Sequence, residues 1–217
     1  MRIRRRDFIG IVAAGAASGL ISRALAKGDL PPGIAQLDGT ALVNGRPAHA
    51  GTPVSLGDRI STGRSSQAVV VVRNDAFLLR SQTTIVVNGS NGVLKDMLVG
   101  AGQVLSVFAP KPVAIKAASA SIGIRGTGCY IEVSPESVYF CLCYGEALVE
   151  GPGMAGAKLV KTTHHEEPLI LRDESGIMHA EPGPFRNHSD AELVMLEALV
   201  GREPPFMKGG TYPAKRY

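Results

Sequence analysis

This 217-residue chain has three cysteines, all within fifteen residues: Cys129, Cys141 and Cys143. Their thiols could form a disulfide or bind a metal. An odd number leaves at least one thiol unpaired or bound to something else. Cys141 and Cys143 form a C-x-C pair in an apolar run that predicts a strand, so both side chains point to one face. Their Cα atoms would then lie ~6.6–6.8 Å apart, which is the far limit for a disulfide.

The position of Cys129 depends on how the predicted hairpin pairs. If Val133 pairs with Val138, Cys129 faces Leu142 and lies on the opposite sheet face from the C-x-C pair. A shift of one residue would set Cys129 opposite Cys141 or Cys143 instead. The apolar pattern favours the first register, which predicts a core thiol at Cys129 and an outward-facing C-x-C pair.

Histidines supply the remaining candidate ligands, and two of them are adjacent, His164 and His165. On a strand, the two rings of such a pair would point to opposite sides, so only one could join a given site. Thiolates with histidine suit zinc, copper(I) or an iron–sulfur centre. The candidate metal ligands are therefore Cys129, Cys141, Cys143, His164, His165 and His188, with His179 as a further histidine.

Two alternatives to a metal site stay open at this point. One is a disulfide with one cysteine left over, and the other is a set of buried thiols, since cysteines of exported proteins are often structural. The C-x-C spacing also differs from the C-x-x-C of common metal loops.

Motifs of catalysis are missing from the sequence. It has no G-x-S-x-G, H-E-x-x-H, G-x-x-x-x-G-K or dinucleotide-binding fingerprint, so we expect no catalytic residues and no enzyme. Arg125 lies between Ile124 and Gly126 in an apolar region, and a buried arginine needs an acceptor or carboxylate. A structural salt bridge is the favoured role of Arg125, ahead of ligand binding.

The elements that would position these residues are strands. Short apolar or alternating runs recur between Asn-Gly, Gly-Asp and Pro-Glu turn signals, which predicts an all-β sandwich, roll or solenoid. One helix is predicted from the capping-box spacing of Ser189 and Glu192 and the helical spacing of Leu193, Leu196 and Leu199. We expect its apolar face to pack on the β body.

The N-terminus has the features of an export signal. Arg5-Arg6 precedes an apolar stretch at residues 8–21, and Ala24-Leu25-Ala26 follows as an A-x-A-type cleavage site. The stretch is shorter than the ~20 residues of a membrane span, and no other segment is long enough. The arginine pair is similar to a twin-arginine signal, so we expect a periplasmic protein that is cleaved after about Ala26 and has no membrane span in its mature part.

Charge excludes nucleic acid as a partner of the folded part. The formal net charge is +4, and residues 1–26 carry five arginines and one aspartate. The rest of the chain is therefore neutral, which removes the electrostatic case for nucleic acid or an anionic membrane.

Several segments in order resemble the FecR domain family, and Arg125-Gly126-Thr127 carries most of that resemblance. The segments are residues 56–63 (Leu-Gly-Asp-Arg-Ile-Ser-Thr-Gly), 66–70 (Ser-Gln-Ala-Val-Val), 98–104 (Leu-Val-Gly-Ala-Gly-Gln-Val), 122–128 (Ile-Gly-Ile-Arg-Gly-Thr-Gly) and 145–149 (Gly-Glu-Ala-Leu-Val). The chain departs from the family at Cys129, where a large apolar residue is usual.

The resemblance implies an all-β, extracytoplasmic roll or solenoid-like stack over residues 38–150. It implies a sensing, scaffolding or ligand-binding role with a protein or envelope-glycan partner. An anti-sigma role is not expected, because only seven residues precede the apolar stretch. The expected organisation is a signal at 1–26, the β domain at 38–150, a β and loop extension at 151–187, a helix at 188–201 and a flexible tail at 202–217. The rival hypothesis is a metal-binding or iron–sulfur redox protein that uses the cysteine cluster.

Overall fold

The computed structural model describes residues 32–207, and the predicted signal at 1–26 and residues 208–217 of the predicted tail lie outside that range. Within it the chain is all-β, as predicted, with one α-helix near its C-terminal end. The strands are β1 (Gly33–Asp38), β2 (Ala41–Val43), β3 (Arg46–Ala48), β4 (Arg59–Thr62), β5 (Gln67–Val72), β6 (Asp75–Leu79), β7 (Thr84–Ser90), β8 (Val93–Val107), β9 (Pro112–Ala117), β10 (Ala120–Arg125), β11 (Gly128–Val133), β12 (Val138–Glu150), β13 (Lys158–Thr162), β14 (Leu169–Glu174) and β15 (Ile177–Pro182).

The strands form two sheets that share two long strands. The first sheet has the order β1-β5-β6-β8-β11-β12-β14-β15. The second has the order β3-β2-β4-β7-β8-β9-β10-β12-β13. Among the described strands, only β8 and β9 pair in parallel.

Strands β8 and β12 pass from one sheet into the other, and each bends at a glycine. Gly102 has φ +83° and Gly145 has φ +100°, in the region that favours glycine. A Cβ on Gly145 would lie 2.7 Å from Cγ2 of Thr127. Strands that change sheets through a bend make the corners of a β-sandwich.

The main core lies between the inner faces of the two sheets. It contains apolar side chains from both, among them Val70, Phe77, Ile115, Ile122 and Phe140, all fully buried. The second sheet alternates buried and exposed residues, as in β9. This alternation is expected where one face packs on a core and the other meets solvent.

A helix covers the outer face of the first sheet. Helix α1 (Asp190–Leu199) begins with the predicted capping box, in which the Ser189 side chain accepts from the Glu192 N–H. Leu193, Leu196 and Leu199 are buried against the sheet, as predicted. The central strands of the first sheet are therefore buried on both faces, which explains the unbroken apolar run in β5.

The residues after 150 are integrated with the sheets. Strand β13 pairs with β12 in the second sheet, and β14 pairs with β12 in the first. A single 3₁₀ turn, Pro205–Met207, follows the helix. Within residues 32–207, no helix has the length and apolar character needed to cross a membrane.

Candidate metal centre

Four of the predicted ligands meet beneath helix α1: Cys141, Cys143, His165 and His188. The two cysteines lie on β12 and face the same side of the first sheet. His165 lies in the loop between β13 and β14, with φ +58°, and its N–H donates to the Cys143 carbonyl. His188 lies in the segment that leads into α1.

The spacing of their ligand atoms fits a single tetrahedral ion. Sγ of Cys141 lies 3.4 Å from Nδ1 of His165, and Sγ of Cys143 lies 3.6 Å from Nε2 of His188. The two imidazole nitrogens are 3.2 Å apart. A tetrahedral zinc ion with two sulfur and two nitrogen ligands needs ~3.3–3.8 Å between ligand atoms.

The outer nitrogens of both histidines are hydrogen-bonded to acceptors. Nε2 of His165 lies 3.1 Å from Oδ1 of Asp190, and Nδ1 of His188 lies 2.7 Å from the carbonyl oxygen of Arg186. A carbonyl or ionised carboxylate can only accept, so each outer nitrogen carries the proton. When both rings are neutral, their inner nitrogens face each other with lone pairs, and a cation between them would stabilise this form.

Burial isolates the four ligands from solvent. Both cysteines are fully buried, and His165 and His188 are at most 7% exposed. A divalent ion with two thiolates has no net charge, which lowers the cost of burying the site.

Without a metal, the same contacts shift the pKa values of the two thiols in opposite directions. A hydrogen bond from Cys143 is the largest cause that lowers the pKa of the Cys141 thiol to about 4. Burial raises the pKa of Cys143 well above its usual value. Burial opposes the charged form of His165, but hydrogen bonds to Asp190 and Cys141 outweigh it and raise that pKa to about 9.

Two of the predicted ligands do not join the four. Cys129 pairs with Leu142, in the predicted register, and its thiol is buried in the core between the sheets. His164 instead directs Nε2 at Oδ1 of Asp190, 2.9 Å away. His164 and His165 thus reach the same carboxylate, because the loop does not continue the strand on which their rings would diverge. The further histidine, His179, is exposed on β15.

The prediction of an outward C-x-C pair is wrong in one respect. Cys141 and Cys143 do lie on the opposite sheet face from Cys129, but the helix and the segment before it cover that face. All three thiols are free of disulfide bonds.

The geometry also bears on the alternative cofactors. In a centre with two irons of the Rieske type, the cysteines and histidines bind different irons. Here all four ligand atoms lie within 4.8 Å of one another, which indicates a mononuclear site. Two sulfurs and two nitrogens in a closed tetrahedron favour zinc over copper(I), which is selected by softer sets of thiolates and thioethers.

A hydrogen-bonded chain also runs from Cys141 through His165 to Asp190, as in a cysteine–histidine–aspartate catalytic triad. A nucleophile must reach its substrate, and Cys141 is fully buried under the helix. The arrangement therefore suits metal binding better than covalent catalysis.

The prediction for Arg125 is wrong. The side chain is exposed, because Arg125 lies on the solvent-facing side of β10. It makes no ion pair within residues 32–207, so it is not a buried structural salt bridge. Thr127, two residues on, is fully buried.

Asp190 is the residue of this site that the sequence did not indicate as functional. Asp190 comes directly after the helix cap Ser189, and an acidic side chain there stabilises the helix by interacting with its dipole. The residue type alone therefore gave no sign of a second role. The predicted helix start did place Asp190 two residues after His188, which could have indicated that Asp190 lies near the candidate ligands.

Comparisons with known proteins assign no family. No protein-family model matches the chain, and no curated protein matches it significantly. Two crystal structures of a candidate anti-sigma factor from Parabacteroides distasonis ATCC 8503, at 1.65 and 2.50 Å resolution, are similar in part, with a TM-score of 0.47 and 14% identity. The match covers 57% of this chain and 59% of the other, so the chain spans under two thirds of that neighbour.

Proposed function

We propose that this chain is a non-enzymatic metal-binding β-sandwich, in which one zinc ion is held by Cys141, Cys143, His165 and His188. The observation that carries the proposal is the pair of inner imidazole nitrogens, 3.2 Å apart and adjacent to two thiols. Their outer nitrogens are both held by acceptors, so each ring in its neutral form presents a lone pair at its inner nitrogen to a cation.

The ion would have a structural role. All four coordination positions would be filled by protein, whereas catalytic zinc keeps a position open for water or substrate. The ligands come from three places in the chain, namely β12, the loop after β13 and the segment before α1. Zinc would thus fix the helix and its leading segment on the first sheet.

The wider role that we propose is an exported sensing or scaffolding module. The twin-arginine-like pair Arg5-Arg6 and the resemblance to FecR domains support this role, and the metal would hold the module rigid outside the cytoplasm. Thiolates bound to zinc are also withdrawn from the disulfide exchange that occurs in oxidising compartments.

Metal analysis tests the proposal directly. The full chain is expressed with its N-terminal segment, purified from the periplasm without chelator or reductant, and analysed by inductively coupled plasma mass spectrometry beside a free-thiol assay. We expect about one zinc per chain, with Cys141 and Cys143 unreactive until the protein is denatured.

Single substitutions distinguish the proposed zinc ligands from the core thiol of Cys129. Cys141→Ser and His188→Ala are expected to lose stoichiometric zinc, whereas Cys129→Ala keeps it. Wild-type protein that stays metal-free after incubation with zinc would refute the proposal, as would full zinc retention by Cys141→Ser. One iron per chain would overturn the choice of zinc.

A further inference from the structure

The second sheet has a groove on the side that faces away from the core. Its volume is about 700 Å³, and it is open to solvent. Val93, Leu148 and Leu159 line it and are 44%, 47% and 51% exposed. Large apolar side chains this exposed on one face are typical of interaction sites.

Small residues form the floor of the groove. Gly123 on β10 pairs with Ala114 on β9 on one side and with Leu148 on β12 on the other. Leu148 in turn pairs with Leu159 on β13. The groove therefore has a low centre beside an apolar wall, with room for a polypeptide backbone close to the sheet.

Charges around the groove are unbalanced. Lys111 pairs with Asp75, and Glu146 pairs with Lys161. Within residues 32–207, the remaining two cations of the lining, Lys95 and Arg125, have no carboxylate partner. An occupant with a negative charge would complement them, and the fixed planar donors of an arginine suit a carboxylate.

We propose that this groove binds an extended segment of a partner protein that carries an acidic side chain among apolar ones. The acidic group would pair with Arg125 and Lys95, and the apolar side chains would pack on Leu148, Leu159 and Val93. The absence of any aromatic side chain from the lining disfavours a glycan, and two unpaired cations are too few for nucleic acid. The inference is independent of the metal centre, which lies on the other sheet.

Selection from a random peptide library tests the inference. The full-length protein is immobilised, heptapeptides displayed on phage are selected against it, and the selected peptides are synthesised for binding by fluorescence anisotropy. We expect the selected sequences to combine Asp or Glu with Leu, Ile or Val, and to bind with a Kd in the micromolar range.

Charge reversal provides the matched comparison. Arg125→Glu should weaken binding at least tenfold, while Lys116→Glu, an exposed site on the same face of β9 outside the groove, should change it less than threefold. Thermal melts of both variants establish that the fold is kept. Leu148→Asp is a second variant, expected to abolish binding without reversing a cation.

Three results of the peptide experiments would overturn the inference. They are a library that yields no enriched sequence, a consensus without acidic residues, and equal loss of binding in the two charge-reversal variants. A dimer in light scattering that Arg125→Glu dissociates would show that a second copy of this chain occupies the groove, which also overturns it.

Discussion

Asp190 holds two histidines with one carboxylate oxygen, and only one of these histidines belongs to the metal centre. The contact with Nε2 of His165 fixes the tautomer that leaves Nδ1 available to the ion. Outer hydrogen bonds of this kind orient metal ligands and raise their basicity. We therefore expect Asp190 to act as a positioning residue for the proposed ion.

Removing that carboxylate should weaken metal binding without removing a ligand. Asp190→Ala is expected to lower zinc affinity about 10- to 100-fold, measured by competition with a chromophoric chelator. Asp190→Asn should lose less, because the amide oxygen can still accept from Nε2.

The control for this prediction is Glu192→Gln. It removes another acidic residue of the first helical turn, and its side chain contacts the Ser189 N–H instead of a histidine. Equal affinity loss in both positions would indicate a general effect on the helix and would contradict a positioning role for Asp190.

For individual residues, the sequence predicted those positions that depend on the alternation of side chains along a strand. The C-x-C pair, its shared face and the Cys129–Leu142 register all follow from alternation along two adjacent strands. His188 is 45 residues from Cys143, so its contact depends on where the helix docks, which no local pattern encodes. Arg125 was misplaced because its apolar neighbours Ile122 and Ile124 do not surround its side chain, since alternation puts them on the other face of β10.

Helix α1 is the element that we expect to depend most on the proposed metal. Its leading segment supplies His188, and its first residue, Asp190, contacts His165. Other contacts also hold the helix: Arg80 pairs with Glu192, and the Tyr144 hydroxyl donates to Glu197. Because His188 and the contact between Asp190 and His165 belong to the proposed centre, zinc loss should loosen this part of the chain before the sheets unfold.

Hydrogen exchange measured by mass spectrometry tests this order. After chelation, we expect faster exchange in residues 185–207, with little change in β9 and β10, which lie in the other sheet. Strands β9 and β10 are each hydrogen-bonded to two neighbouring strands, whereas the helix is attached to the sheet through side chains, so its opening free energy should fall first. Cys129→Ala should respond to chelation as the wild type does.

A uniform rise in exchange would show that zinc controls global folding, and no change would show that the helix is held by its apolar contacts alone. Either result would contradict the expected order.

The helix itself was predictable, because its cap and its leucine spacing are local. The long strands were not. Residues 97–99 and 104–108 appear in the sequence as separate short runs divided by a glycine turn, whereas β8 continues through Gly102 with a bend. Glycine permits both a turn and a bend, and only pairing with two different sheets decides between them.

The whole molecule has two unlike outer faces. One is covered by the helix over the candidate metal centre, and the other carries the open groove. A ligand that binds only the folded state stabilises the molecule by mass action, so zinc at 100 times its Kd should add ~2.7 kcal/mol. For a chain of this size that corresponds to an increase in Tm of about 5–10 °C.

Differential scanning calorimetry with and without chelator measures this increase. The zinc-dependent part should disappear in Cys141→Ser and persist in Cys129→Ala. If the Tm of wild-type protein is the same in both conditions, the metal contributes nothing to global stability and the structural role proposed for it is wrong.

Strand β12 gives the chain a particular order of assembly during synthesis. It lies between β11 and β14 in one sheet and between β10 and β13 in the other. A nascent chain that ends before Val138 therefore lacks an interior strand of both sheets, and neither sheet can close. We therefore expect folding to be completed only after about two thirds of the chain has been synthesised. Until then, the apolar strands β5, β6 and β8 would be accessible to chaperones.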